Sequence, residues 1–172
     1  KDIKHLRSDL TLPEVRSAEE WHLFKKMQNN GAVISSEDSP WYPEFCREID
    51  MTHGRRYFVK RPEKGCLPVI EGRMVQPHRL GCKSHVSGEG RSAVWYNLPP
   101  GHSRVAPQFW LPLRVASAEA SRRSRRLRAG FCDITGQTNE RSMMAALIPP
   151  EVICGNKVPT ISFPNDPSDD RL

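Results

Sequence analysis

Between Arg114 and Arg128 the sequence places six arginines, Arg114, Arg122, Arg123, Arg125, Arg126 and Arg128, against the single acid Glu119, a local net charge of +5. Each guanidinium offers forked donors of fixed geometry, and neutralising phosphates releases condensed counterions, so the chemistry indicated is contact with a polyanion. With about 3.6 residues per helical turn the six cannot all face one groove, and two or three is the number that reaches phosphate. A second polar group, Asp133, Thr138, Asn139 and Arg141, lies in or beside a turn between apolar runs. There Asn could pair with adenine and Arg with guanine in a major groove. The alternative is internal: Asp133 paired with Arg141 across a hairpin, with Thr138 and Asn139 satisfying the turn backbone.

Other constellations are weaker. His78, Cys82 and His85 have zinc-compatible types and spacing, with Cys66 or His102 as a fourth ligand, but no C-x-x-C pair accompanies them. Asp50, Glu71 and Arg73 imitate a metal-dependent nuclease centre poorly, because clustered carboxylates with a nearby lysine are wanted. Cys46 and Cys132 sit in apolar strand patterns and read as core rather than as nucleophiles. Gly88-Glu89-Gly90 is a lone turn signal, too little for nucleotide binding. Trp41, Tyr42, Trp95, Tyr96 and Trp110 could stack on bases, though burial in a sheet core is the commoner fate of such residues.

The elements that must position these residues follow from periodicity. Ser17 caps a helix running to Asn30, with Glu19 and Glu20 in its first turn and an apolar stripe of Trp21, Phe24 and Met27. Extended runs are expected at 32–35, 45–51, 56–60, 67–77, 92–97 and 109–115, the last pushed by Pro112 toward a bulge or a sheet edge, where it would be accessible. Ser117 caps a second helix to about Arg126, its acid near the positive end and its arginines near the negative end. Strands at 129–135 and 142–148 flank the polar turn, and 152–161 reads as a loop plus a short strand. The fold class expected is α+β, a twisted, mainly antiparallel sheet flanked by about two helices. Residues 1–164 are read as one domain and 165–172 as a disordered acidic tail.

The 172 residues carry a net charge of +6, which favours a polyanionic partner by long-range attraction. Five scattered cysteines, an odd number without a disulfide framework, fit a reducing cytoplasm. No stretch approaches the roughly 20 apolar residues of a membrane span, so no membrane partner is expected. Lys1 is followed by no signal-peptide pattern, and the chain reads as a segment of a larger protein.

Two blocks carry a family resemblance. The first is Glu71-Gly72-Arg73-Met74 with His78-Arg79. The second runs from Arg128 through Asp133, Thr138-Asn139-Glu140-Arg141 and Met143 to Pro150. Together they resemble the C-terminal target-recognition region of large N6-adenine DNA methyltransferases of the type IIG-like and phage-defence restriction-modification kind, over roughly Leu67 to Ile161. Ile70 and Arg73 stand where that family has an aromatic and a lysine, and Pro77 where it often has an aspartate. The resemblance implies duplex DNA as partner and a catalytic methyltransferase domain in the same longer chain, which uses S-adenosylmethionine and in some members is fused to an endonuclease. It adds Arg73, His78 and Arg79 to the expected DNA contacts Arg122, Arg123, Arg125, Arg126, Arg128, Thr138, Asn139 and Arg141. The segment itself is expected to be non-catalytic and to bind no cofactor: Asn97-Leu98-Pro99-Pro100 carries an extra leucine and is not the methyltransferase catalytic loop. The alternatives are a module that docks on another domain of the same chain, and a metal-dependent nuclease fragment.

Overall fold

The computed structural model describes residues 4, 10–31, 37–136, 139, 141 and 143–165. The chain forms two compact units, one holding the residues up to Pro43 together with the stretch from Phe163, the other holding Glu44–Ser162.

The first unit contains helix α1 (Ala18–Asn30), whose N-cap Ser17 accepts a hydrogen bond from the Glu20 amide. The cap residue and both helix ends are those the sequence predicts. Trp21 and Phe24 stack at 5.7 Å along the apolar stripe, yet no residue of α1 is buried and Met27 stands 64% exposed. Asn165 donates to the Ser39 carbonyl and Trp41 meets Phe163 edge-on, which ties the two stretches of this unit together. The predicted strand at 32–35 and the acidic tail beyond Asn165 lie outside the described residues.

The second unit is α+β. Its strands are β1 (Glu44–Cys46), β2 (Cys66–Ile70), β3 (Val75–Gln76), β4 (Arg79–Leu80), β5 (Lys83–Ser87), β6 (Val94–Asn97), β7 (Trp110–Pro112), β8 (Arg128–Phe131), β9 (Ala145–Ile148), β10 (Ile153–Cys154) and β11 (Thr160–Ser162), with helix α2 (Ala118–Arg123). Pairing is antiparallel throughout except between β10 and β2. Among the described residues the strands form four sheets rather than one: β1-β11-β8-β9, β10-β2-β7, β3-β4 and β5-β6.

Strand alternation explains how β2 and β10 divide two cores. Successive side chains point to opposite faces, and Val69 lies opposite Ile153 while Ile70 lies opposite Cys154. Val69 and Ile153 join Leu67, Leu111 and Ala120 in one cluster. Ile70 and Cys154 join Met74, Val75, Ala146, Ile148, Val152 and Val158 in the other. Strands buried on both faces are continuous apolar runs; the run at 67–70 was expected as extended, whereas β10 opens the stretch 152–161 that reads as a loop plus a short strand.

Several boundaries differ from expectation for identifiable reasons. Residues 56–60 do not form a strand; a 3-10 helix covers His53–Tyr57 and only Val59 bridges to Trp110. Asp50 fixes that turn by accepting from the Thr52 and His53 amides. β7 does occupy an edge, as Pro112 requires, but Leu111 and Pro112 are buried rather than accessible. β4 and β5 were not legible because Arg79, Lys83, Ser84, His85 and Ser87 give no apolar period.

Candidate nucleic-acid interface

The arginine cluster divides. Ser117 caps α2 by accepting from the Ala120 amide, as expected, but the helix ends at Arg123 rather than near Arg126. Arg123 is 3% exposed and donates to Glu119 and, at 2.9 Å, to Glu44. Arg128 is 2% exposed and forms a forked pair with fully buried Glu48, at 2.5 and 2.8 Å. Its remaining donors reach the carbonyls of Arg126, Pro149 and Val152. Glu48 is completed by the Thr160 hydroxyl and the Cys154 amide. Arg123 and Arg128 are therefore corrected from DNA contacts to internal clamps, because every donor that would grip phosphate is turned inward. Half-buried Arg79 is partly engaged: one guanidinium nitrogen donates to the carbonyls of Leu98, Pro99 and His102 and holds that loop.

The other predicted contacts stay at the surface. Arg122 is half-exposed and bonded through two nitrogens to Glu119. Those bonds hold the Glu119 carboxyl below its usual range, with Arg122 the larger cause and Arg123 the next. Arg125, Arg126, Arg141 and His78 are exposed, His78 at a turn with φ of 60°. Asn139 is exposed too, and its backbone N–H donates to the Gly136 carbonyl. Thr138 lies outside the described residues. Asp133 is paired with Arg47 at 3.2 Å and Lys157 at 3.4 Å rather than engaged across the hairpin with Arg141.

Arg73 is the predicted contact that the fold places in a concavity. After β2 the backbone turns through a 3-10 segment, Gly72–Met74, that drives Met74 into the core and leaves Arg73 outside. The turn is held from beneath by the Cys132 thiol on the Gly72 carbonyl at 3.0 Å and the Cys82 thiol on the Arg73 carbonyl at 3.5 Å. A Cβ at position 72 would lie 3.3 Å from the Lys157 carbonyl, so the close approach of that segment favours glycine.

Two adjoining hollows share Met51, Glu71 and Arg73. One, of about 570 Å³, adds Gly72, Lys83, Trp95, Cys132, Ile134 and Lys157. The other, of about 490 Å³, adds Arg55, Phe58, Gly90, Arg91, Gln108 and Phe109. Five cations and one acid thus line the trench these two hollows make side by side, and the helix arginines are not among its walls. Lys157 and Arg55 are shared with Asp133 and Glu89 respectively. Glu89 also pairs with Lys60, and that hydrogen bond holds its carboxyl below the usual range.

Within the trench Arg73 lies over the Trp95 ring at 5.1 Å, and His85 meets the same indole edge-on at 5.3 Å. Glu71 is 12% exposed, its Oε2 lying 3.6 Å from Arg73 Nε, while its Oε1 has no hydrogen-bond partner. Burial pushes the Glu71 carboxyl up, against the opposing pull of Arg73 and His85. The Trp95 Nε1 is also unpartnered. Sequence reading missed the trench because its cations Arg55, Lys83, Arg91 and Lys157 lie far apart along the chain.

His78, Cys82 and His85 do not converge; among the described residues no group of three or more His, Cys, Asp or Glu is arranged to hold a metal ion. Gly88–Gly90 joins β5 to a 3-10 turn instead of opening an α-helix. Among the described residues no helix is long and apolar enough to cross a membrane. Comparison with family models, curated proteins and solved structures finds no match for the chain.

Proposed function

We propose that the chain is the DNA-binding specificity segment of a restriction-modification N6-adenine DNA methyltransferase, holding duplex DNA in position for a catalytic domain of the same longer protein. That domain binds S-adenosylmethionine, and the setting is the cytoplasm. The observation that supports this reading is the cation-lined trench, because it is built on Glu71-Gly72-Arg73-Met74, one of the two blocks that carry the family resemblance. A trench of one dominant sign focuses its field and attracts phosphate.

The test is titration with duplex DNA at several salt concentrations. Affinity is expected to fall linearly on logarithmic axes, and Lys83→Ala/Arg91→Ala/Lys157→Ala to weaken binding and lower the slope by about one for each phosphate no longer neutralised. The same experiment on Arg122→Ala/Arg125→Ala/Arg126→Ala measures the share of the surface arginines after α2. Absence of binding even at low salt rejects the reading in favour of a module that docks on another domain. One observation favours that second reading: Phe45 and Leu147 stand 59% and 54% exposed at the two outer strands of the four-stranded sheet, in register through Ile161 and Ala129.

A further inference from the structure

Strand β6 is paired on one side only. The Leu98 N–H donates to the Cys82 carbonyl at 2.9 Å, and bonded and non-bonded pairs alternate along an antiparallel ladder. Ser84 and Tyr96 therefore form the next bonded pair, while His85, Trp95 and Asn97 turn their backbone groups outward. On the β5 side the outward His85 N–H meets the Ala106 carbonyl. On the β6 side no strand among the described residues pairs with Trp95 or Asn97. An open edge is a template for a further strand, and proteins usually guard it with a charge, a proline or a bulge. The residues of β6, Val94-Trp95-Tyr96-Asn97, hold neither charge nor proline, and the bulge of the hairpin lies in β5, between His85 and Ser87.

The two faces along that edge differ in chemistry. Val94 and Tyr96 stand 53% and 58% exposed, with Val86 61% exposed beside them at the bulge. Trp95 and Asn97 lie on the opposite face with His85 and Lys83, and Arg73 sits over the Trp95 ring at 5.1 Å. The hollow on that face is walled by Arg73, Lys83 and Lys157, with Glu71 as its one acid.

We propose that the outer edge of β6 takes up an extended peptide as an added strand, in which apolar residues alternate with acidic ones. Its apolar side chains lie beside Val94 and Tyr96, and its carboxylates lie on the Trp95 face toward Arg73 and Lys83. In this mode main-chain hydrogen bonds supply affinity and alternate side chains supply specificity. A second copy of the chain fits less well: two β6 edges paired antiparallel would bring Arg73 and Lys83 of one copy toward those of the other, and like charges repel. An acidic strand meets the same cations with opposite sign. The Gly90–Ser92 turn and Pro99-Pro100 bound the edge, so the added strand is short. The inference goes beyond the DNA-binding reading and does not depend on it.

The test is fluorescence anisotropy of the full chain at low salt with a labelled, end-capped octapeptide alternating valine and glutamate. Saturable binding is expected, about tenfold tighter than for a valine–lysine octapeptide or for one with its valines and glutamates in separate blocks. Successive backbone amides of an added strand point to opposite edges, so N-methylating either the valines or the glutamates should abolish binding, while methylating the other set leaves it intact. Asn97→Pro removes an outward N–H without touching the β5–β6 bonds and should weaken binding about fivefold, as for one hydrogen bond. Lys83→Glu should weaken the glutamate peptide and strengthen the lysine peptide, which keeps the test decisive if the proline variant does not fold. No binding of the alternating peptide, indifference to both methylations, or affinities unchanged in Lys83→Glu overturns the inference, and duplex DNA binding measured separately stays unaffected by that result. A concentration-dependent dimer in sedimentation that Asn97→Pro abolishes overturns it in favour of a second copy at this edge.

Discussion

At the scale of single residues, the same side-chain type does two opposed jobs. Arg128 looks like one more basic residue in its cluster, but it satisfies the carboxylate of fully buried Glu48. Removing one partner of a buried ion pair leaves an uncompensated charge, so Arg128→Ala should lower stability by about 3–5 kcal/mol in urea unfolding. A loss under about 1 kcal/mol would show that Glu48 is reached by water. Glu71 makes a prediction of the other sign. Its folded-state pKa is raised above the ordinary 4.5 by burial, so the folded protein binds the extra proton. The resulting stability is fully present below about pH 4.5 and is lost as pH rises through the folded-state value. Denaturation midpoints measured from pH 4 to 8 should therefore fall less steeply in Glu71→Gln than in the parent chain; parallel curves would contradict the assignment.

At the scale of elements, caps and turns carry the information that patterning lacks. Ser17 and Ser117 were readable as N-caps, and each does accept from the amide three residues on. The β5–β6 hairpin is harder to read, because β5 is polar and the connection depends on Gly88 at φ of 74°. A Cβ there would fall 2.3 Å from the Ser92 carbonyl. Gly88→Ala should cost about 1–3 kcal/mol and release His85, whose ring bonds the Gly88 carbonyl. Faster amide exchange confined to Lys83–Asn97 is the signature to look for, and uniform exchange across the chain would argue against a local effect.

At the scale of the whole molecule, formal charge overstates what is available to a polyanion. Two of the six clustered arginines are internal, whereas the trench collects cations from the His53–Tyr57 turn, the Gly72–Met74 turn, β5, the β5–β6 connection and the loop before β11. Arg123→Gln should accordingly lower the melting temperature while leaving the salt slope of DNA binding unchanged, measured well below that temperature. A reduced slope would return Arg123 to the interface. What the sequence by itself determined was local: the helix starts, the extended run that begins at Leu67 and the α+β class. These depend on neighbours within a few residues, where capping and periodicity act. Tertiary structure alone decided which arginines face inward, that the strands separate into four sheets, and that Arg73, Lys83, Trp95 and Lys157 share one hollow. Those outcomes turn on long-range pairing, such as Glu48 with Arg128 and β2 with β10, and no local pattern encodes which buried carboxylate a given guanidinium will meet.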